Sequence, residues 1–98
     1  MERLSSTEQR RLEREAQKAK ERTIRQFERA IDDIETEIQE CERRRDELSL
    51  QISNPDIASD FARLAPLIEE HKQCAATLKD RMARWEKLHE ELEQAGQE

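Results

Sequence analysis

The sequence predicts an all-α fold: a two-helix antiparallel coiled-coil hairpin with a proline-containing tip. Charged residues make up 43% of the chain and aromatic residues only 3%. This composition suits long helices buried along one stripe better than a thick layered core. Between positions 24 and 52, nine residues follow one another in steps of three and four, which is the heptad spacing of a supercoiled helix. Asn54 and Pro55 then separate this pattern from a second helical one.

The first long helix is expected to begin at Ser5 and to run to about residue 53. Ser5 and Glu8 have the form of a capping box, and no glycine or proline interrupts the helix. Arg45 is the one charged residue among the nine positions of this heptad pattern, which we call the seam. We expect its guanidinium group to extend outward or to pair with Glu69 or Glu70 on the second helix. The seam consists of Ile24, Phe27, Ile31, Ile34, Ile38, Cys41, Arg45, Leu48 and Ile52.

Residues 1–22 form a basic lead-in that differs from the hairpin of residues 23–96. Leu12, Ala16 and Ala19 have helical spacing, but the step from Ala19 to the seam breaks the heptad phase. These side chains are also small, so they bury little. We expect the lead-in to be helical but loosely packed, either frayed or overhanging the partner helix.

The tip is expected at residues 54–60 and the second long helix at about residues 61–95. Asn54 can cap a short helical turn that has Pro55 at its first position. Pro66 predicts a kink or a late start of the second helix, because proline removes one backbone hydrogen bond and clashes with the preceding turn.

The apolar stripe of the second helix fits two registers. Both contain Leu64, His71, Leu78, Trp85 and Leu92. One register adds Leu67, Cys74, Arg81 and Leu88, and the other adds Phe61, Ile68, Ala75, Met82 and His89. Because the tip is short, the helices should lie antiparallel, with Ile31 near Trp85 and Cys41 near positions 71–75.

Two stretches in the second half have a sequence and spacing that a known family shares. They are Asn54-Pro55-Asp56-Ile57 at the tip, followed by Ser59-Asp60-Phe61 and Arg63-Leu64, and Arg84-Trp85-Glu86-Lys87-Leu88 near the end. In these the chain resembles the C-terminal coiled-coil domain of ABC-F ATPases, which has an Asp-Pro-Asp/Glu tip and an Arg/Glu-Trp-Glu-Glu-Leu stretch. Asn54, Ala58, Pro66, His71 and Arg81 depart from the usual pattern of that family.

The resemblance implies that the chain is the tail of a larger protein with two ATP-binding cassettes and no transmembrane segments, which acts on ribosomes in translation or antibiotic resistance. ATP and Mg would bind to the cassettes, and no cofactor is expected in this chain. In some members the tail is implicated in nucleic-acid binding. The chain itself has no glycine-rich phosphate loop and no nucleophile–base pair, so we do not expect it to be an enzyme.

A basic stripe on the first helix is the strongest functional pattern. Its members follow at steps of three or four and face away from the seam, which suits contact with phosphates. The alternative is a solvated face neutralised by intrahelical pairs with Glu15, Glu21 and Glu28. Arg43 and Arg44 near the tip could bind nucleic acid or serve the structure. The basic stripe consists of Arg11, Arg14, Lys18, Arg22, Arg25 and Arg29.

The charge is unevenly distributed along the chain, whose net charge is −6. Residues 1–30 hold nine Lys and Arg against six Asp and Glu, whereas residues 31–50 hold three against eight and residues 51–98 six against ten. The net charge argues against a generic nucleic-acid binder, but the start of the chain is basic and the rest is acidic, and a nucleic acid or the ribosome is the expected partner. No long apolar run or secretion signal is present, so we expect a cytoplasmic protein that does not bind a membrane.

Three further possibilities stay open from the sequence. Cys41 and Cys74 are expected to be free thiols, although a disulfide is conceivable. With His71 they offer three zinc ligands but no evident fourth, so no metal site is predicted. We expect a monomeric hairpin, with a homodimer through residues 5–22 or by swapping as the alternative. A purely structural spacer or oligomerisation module is the alternative function.

Overall fold

The structure, a computed structural model, describes residues 5–97 and contains three helices in that range. These are α1 (Ser6–Ser53), α2 (Pro55–Ala58) and α3 (Phe61–Gln97). α1 and α3 pack against each other as a hairpin, a rod of 81 × 18 × 17 Å. The predicted all-α hairpin is confirmed. The first four residues of the predicted lead-in lie outside the described residues.

Side-chain caps set the beginnings of α1 and α2. The Ser5 hydroxyl accepts a hydrogen bond from the backbone N–H of Glu8 at 3.2 Å. The Asn54 side chain accepts one from the backbone N–H of Asp56 at 3.0 Å, and Pro55 occupies the first position of α2. Both caps occur where the sequence predicts them.

Pro66 lies inside α3, which begins at Phe61, so the late start that the sequence allowed is wrong. The backbone N–H groups of Arg63 and Leu64 donate to the carbonyl of Asp60 at 3.1 and 2.9 Å. The first turn of α3 is therefore closed before the proline. The helix then tolerates Pro66 because only one backbone hydrogen bond is lost there.

The core is a thin seam between α1 and α3. Leu48 is fully buried near the tip, where Ile57 of α2 is also buried. Trp85 packs against the cluster that contains Ile31, which confirms that these two residues lie near each other as predicted. The Nε1–H of Trp85 donates to a carboxylate oxygen of Glu35 at 3.0 Å. The cluster consists of Ile31, Ile34 and Leu88, with Phe27, Ala30, Ile38, Trp85 and Leu92 packed against it.

Arg45 does not make the cross-helix pair that the sequence allowed. Its guanidinium pairs with Asp46 on its own helix, with Nη2 3.2 Å from Oδ1. Arg44 reaches Glu70 instead, with Nε 2.8 Å from Oε1. A seam residue points at the apolar interface and must turn its charge outward, whereas a residue at the edge of the seam can reach the facing helix.

α3 uses one of its two possible registers for the hairpin. Cys74 and Arg81 are half-buried and Leu88 is 2% exposed. The five members that belong only to the other register face solvent: Phe61 is 81% exposed, Ile68 49% and Met82 46%, and Ala75 and His89 are also exposed. The four apolar members, Phe61, Ile68, Ala75 and Met82, recur at every seventh position and form what we call the outer stripe of α3.

Candidate nucleic-acid interface

The N-terminal part of α1 projects beyond the end of α3. A shallow depression lined by Ala95 together with Ala16, Lys20 and Thr23 marks where the end of α3 lies beside α1. Every residue from position 6 to position 19 is exposed, and Lys20 is the first half-buried one. Among residues 5–97, no second helix packs on this segment before the depression beside Ala95, so most of its circumference can meet a partner.

The basic stripe lies on one face of this projecting helix and continues onto the start of the hairpin. With 3.6 residues per turn, its steps of three and four keep all six side chains on the face opposite the seam. Arg11 and Arg29, its ends, are roughly 27 Å apart along the helix axis. All six side chains are exposed: Arg11, Arg14, Lys18, Arg22, Arg25 and Arg29.

The side chains of the basic stripe make no close ion pairs with carboxylates among residues 5–97. Glu21 instead accepts a hydrogen bond from Gln17 at 3.3 Å. The intrahelical pairs with Glu15, Glu21 and Glu28 that the sequence allowed are thus not formed in this part of the chain.

Arg43 and Arg44 stand in a different environment. Arg43 pairs with Glu40 and Glu47 on its own helix, and the hydrogen bond to Glu40 raises its pKa. Arg44 binds both carboxylate oxygens of Glu70, with Nε 2.8 Å and Nη2 2.9 Å away. This contact raises the pKa of Arg44 and lowers that of Glu70. Carboxylates pair with both guanidinium groups, so Arg43 and Arg44 serve the structure here, and their contact with nucleic acid stays a prediction.

The charge distribution of the rod favours binding of an anion at its N-terminal end. The basic excess lies within residues 1–30, whereas the hairpin beyond it is acidic. The dipole of α1 adds a partial positive charge at the same end. The charge therefore favours an anionic partner along residues 1–30, which include the start of the hairpin, and disfavours one along the rest of the rod.

The sequence analysis missed Arg10. Its side chain shares a shallow depression with Arg14 on the projecting helix, together with Thr7, Glu13 and Gln17. Arg10 precedes Arg11 directly, which places it about 100° around the helix, at the margin of the stripe. The Arg10-Arg11 pair in the sequence was the signal that could have identified it.

The candidate zinc ligands are not brought together as a metal site. His71 Nε2 lies 3.1 Å from the hydroxyl of Ser49, and both cysteines are half-buried and unbonded. In the range 5–97, no group of three or more His, Cys, Asp and Glu side chains is arranged to hold a metal ion. Over the same residues, no helix combines the length and the apolar character that crossing a membrane requires.

Comparison with known protein families identifies the family of this chain. The model of the ABC transporter C-terminal domain matches residues 3–90. The chain belongs to this family. The match spans the projecting helix, the tip and most of α3, so both the basic stripe and the hairpin are parts of one ABC transporter C-terminal domain. No curated protein and no solved structure matches the chain.

Proposed function

We propose that this domain is the non-catalytic C-terminal arm of an ABC-F ATPase and that it contacts nucleic acid, either DNA or ribosomal RNA, through the basic stripe. One observation carries the proposal: six exposed basic side chains line the face of α1 opposite the seam, and within residues 5–97 none of them is held in a salt bridge. ATP hydrolysis would belong to the cassettes of the parent protein.

The chemistry of the stripe favours contact with the phosphate backbone rather than with bases. Each guanidinium offers several N–H donors in a fork that matches phosphate oxygens, and the row presents roughly one such group per helical turn. The stripe contains no aromatic side chain on which a base could stack. Binding should therefore depend little on sequence and strongly on salt.

The test is a titration of the domain with duplex DNA and with structured RNA at several salt concentrations. If all six side chains meet phosphates of a duplex, the logarithm of the binding constant should fall against the logarithm of salt concentration with a slope of roughly −5. Changing Arg14, Arg22 and Arg25 together to Glu should abolish measurable binding. Binding by this variant with the affinity and salt slope of the parent would refute the proposal.

A matched control keeps the same change in net charge on another surface. Lys72, Lys79 and Arg84 are exposed on α3. Changing these three residues to Glu should weaken binding only through the general field of the rod, and less than the change in the stripe does. Equal loss in the two variants would indicate a response to net charge rather than a contact surface.

The outer stripe of α3 favours a second function, that of a structural spacer or oligomerisation module. Phe61, Ile68, Ala75 and Met82 recur at the seven-residue interval that suits a further helix and lie exposed on the hairpin. Sedimentation equilibrium up to high micromolar concentration tests self-association. A monomer throughout would exclude the oligomerisation module, and a dimer lost on changing Met82 to Glu would support it.

A further inference from the structure

We propose that Cys41 and Cys74 form a redox-active pair, which peroxide converts into a disulfide that joins α1 to α3. Both cysteines are unbonded and half-buried, and each occupies a seam position of its helix. The proposal depends on the register of the hairpin and is independent of nucleic-acid binding.

Two salt bridges between the helices bracket the cysteines. On the side towards the tip, Arg44 Nε lies 2.8 Å from Glu70 Oε1, and on the other side Arg81 Nε lies 3.3 Å from Glu37 Oε2. The cysteine of α1 lies three residues before Arg44 and four after Glu37, and the cysteine of α3 lies four residues after Glu70. Both thiols therefore lie in the short section that the two bridges enclose.

The core places the two cysteines at the same level along the rod. Ile31 and Trp85 pack in one cluster. From there Cys41 lies ten residues forward along α1, about 15 Å, and Cys74 lies eleven residues back along α3, about 16.5 Å. Because the helices run in opposite directions, these two steps lead to the same end of the rod and differ by only about 1.5 Å.

Facing seam positions at one level satisfy the distance that a disulfide requires. Packed helices have axes about 8–10 Å apart, and Cα atoms lie about 2.3 Å from each axis. The Cα atoms of facing seam residues can then come within roughly 3.4–5.4 Å of each other, which overlaps the range of about 4.4–6.8 Å seen in disulfides. The bond can form without separating the helices.

A small oxidant can reach Cys41. This residue lines a shallow depression of about 290 Å³ together with Thr77 and Arg81 of α3. The thiolate of Cys41 attacks one peroxide oxygen, the O–O bond breaks, and a sulfenic acid and a water molecule result. The Cys74 thiolate then attacks the sulfenic sulfur, the S–O bond breaks, and a second water molecule leaves. In total the two thiols lose two electrons and two protons. The peroxide accepts these electrons and protons and becomes two water molecules.

The disulfide would lock the register of the two helices. It closes a loop of about 34 residues that includes the tip, and constraining such a loop in the unfolded chain stabilises the folded hairpin. We expect the midpoint of thermal unfolding to rise by roughly 10 °C or more on oxidation, with full reversal by a dithiol reductant.

The test is mass spectrometry of the reduced domain before and after treatment with hydrogen peroxide. The expected product is a monomer that has lost two hydrogen atoms, with a linked peptide pair containing Cys41 and Cys74 in a non-reducing digest. Cys41→Ser and Cys74→Ser should each abolish this product. Absence of the intramolecular bond in the parent, with sulfinic acid or intermolecular dimers in its place, would overturn the proposal.

A variant with a displaced cysteine controls for chance encounters. Gln73 neighbours Cys74 but is exposed and lies off the seam. The double variant Cys74→Ala/Gln73→Cys keeps two thiols and the same loop length within one residue. It should cross-link at least tenfold more slowly than the parent, and equal rates would show that the pairing does not depend on the register. Circular dichroism confirms that each variant retains the helical fold.

Discussion

Arg44 on α1 donates two parallel hydrogen bonds to Glu70 on α3, from Nε to Oε1 at 2.8 Å and from Nη2 to Oε2 at 2.9 Å. The same guanidinium also reaches Glu47, with Nη1 3.2 Å from Oε2. Bidentate geometry makes this contact more specific than an ordinary surface ion pair. It ties the two long helices together beside the seam, roughly three turns from the tip on either helix.

Replacing Glu70 by Gln should lower stability, and the loss should depend on pH. The contact with Arg44 lowers the pKa of Glu70 in the folded chain. Its stabilisation is therefore fully present above the ordinary glutamate pKa of about 4.3 and disappears as pH falls through the lower folded value. Urea unfolding at a series of pH values should show the parent and variant converging in acid. Because both side chains are partly exposed, added salt should also reduce the difference.

Glu69 supplies the control for this experiment. It neighbours Glu70, is exposed, and takes part in no salt bridge within residues 5–97. Glu69→Gln should leave the dependence of stability on pH close to that of the parent. A difference between parent and Glu70→Gln that stays constant from neutral to acid pH would contradict a role for the ionised pair.

Leu48 and Leu50 should respond very differently to the same truncation. Leu48 is 0% exposed and lies in the seam near the tip, whereas Leu50, two residues later on α1, is 75% exposed. Leu48→Ala should cost about 2–5 kcal/mol of unfolding free energy, because it removes buried methyl groups and leaves a cavity. Leu50→Ala should change it by less than about 0.5 kcal/mol. Chemical denaturation measures both, and similar losses would mean that the seam is not the core.

The parts of the fold that depend on local or periodic signals could be predicted from the sequence. Ser5 and Asn54 act as caps through their own neighbours, and the basic stripe is exposed because helical periodicity turns it away from the seam. The rotation of α3 could not be predicted, because two registers shared the same central residues. Arg44, rather than Arg45, bridges to Glu70 for a related reason: which side chain crosses depends on the edge of a seam that only the packed helices define.

Removing the cap at the tip should weaken the hairpin. Asn54 accepts a hydrogen bond from the backbone N–H of Asp56, which otherwise has no partner inside α2. Asn54→Ala should cost about 0.5–2 kcal/mol, measured by thermal or urea unfolding. Asn54→Asp keeps an acceptor oxygen and should restore most of the loss. If Asn54→Asp were as unstable as Asn54→Ala, the hydrogen bond to Asp56 would not be the reason that Asn54 stabilises the tip.

Pro66 should be a site at which substitution stabilises the chain. It occupies the sixth position of α3, where it cannot donate a backbone hydrogen bond and its ring crowds the preceding turn. Pro66→Ala restores the donor but also gives the unfolded chain more freedom, which offsets roughly 0.4–1 kcal/mol. We expect a net gain of about 2 kcal/mol in the free energy of unfolding, read from urea denaturation.

Pro55 is the matched control, because it begins α2 at a position where no intrahelical hydrogen bond is lost. Pro55→Ala should therefore be neutral or slightly destabilising, through the unfolded chain alone. A gain at Pro66 together with none at Pro55 would show that the cost of proline here depends on its depth in the helix. If Pro66→Ala instead destabilised the hairpin, the ring of Pro66 would have to shape the start of α3 in a way that the hairpin requires.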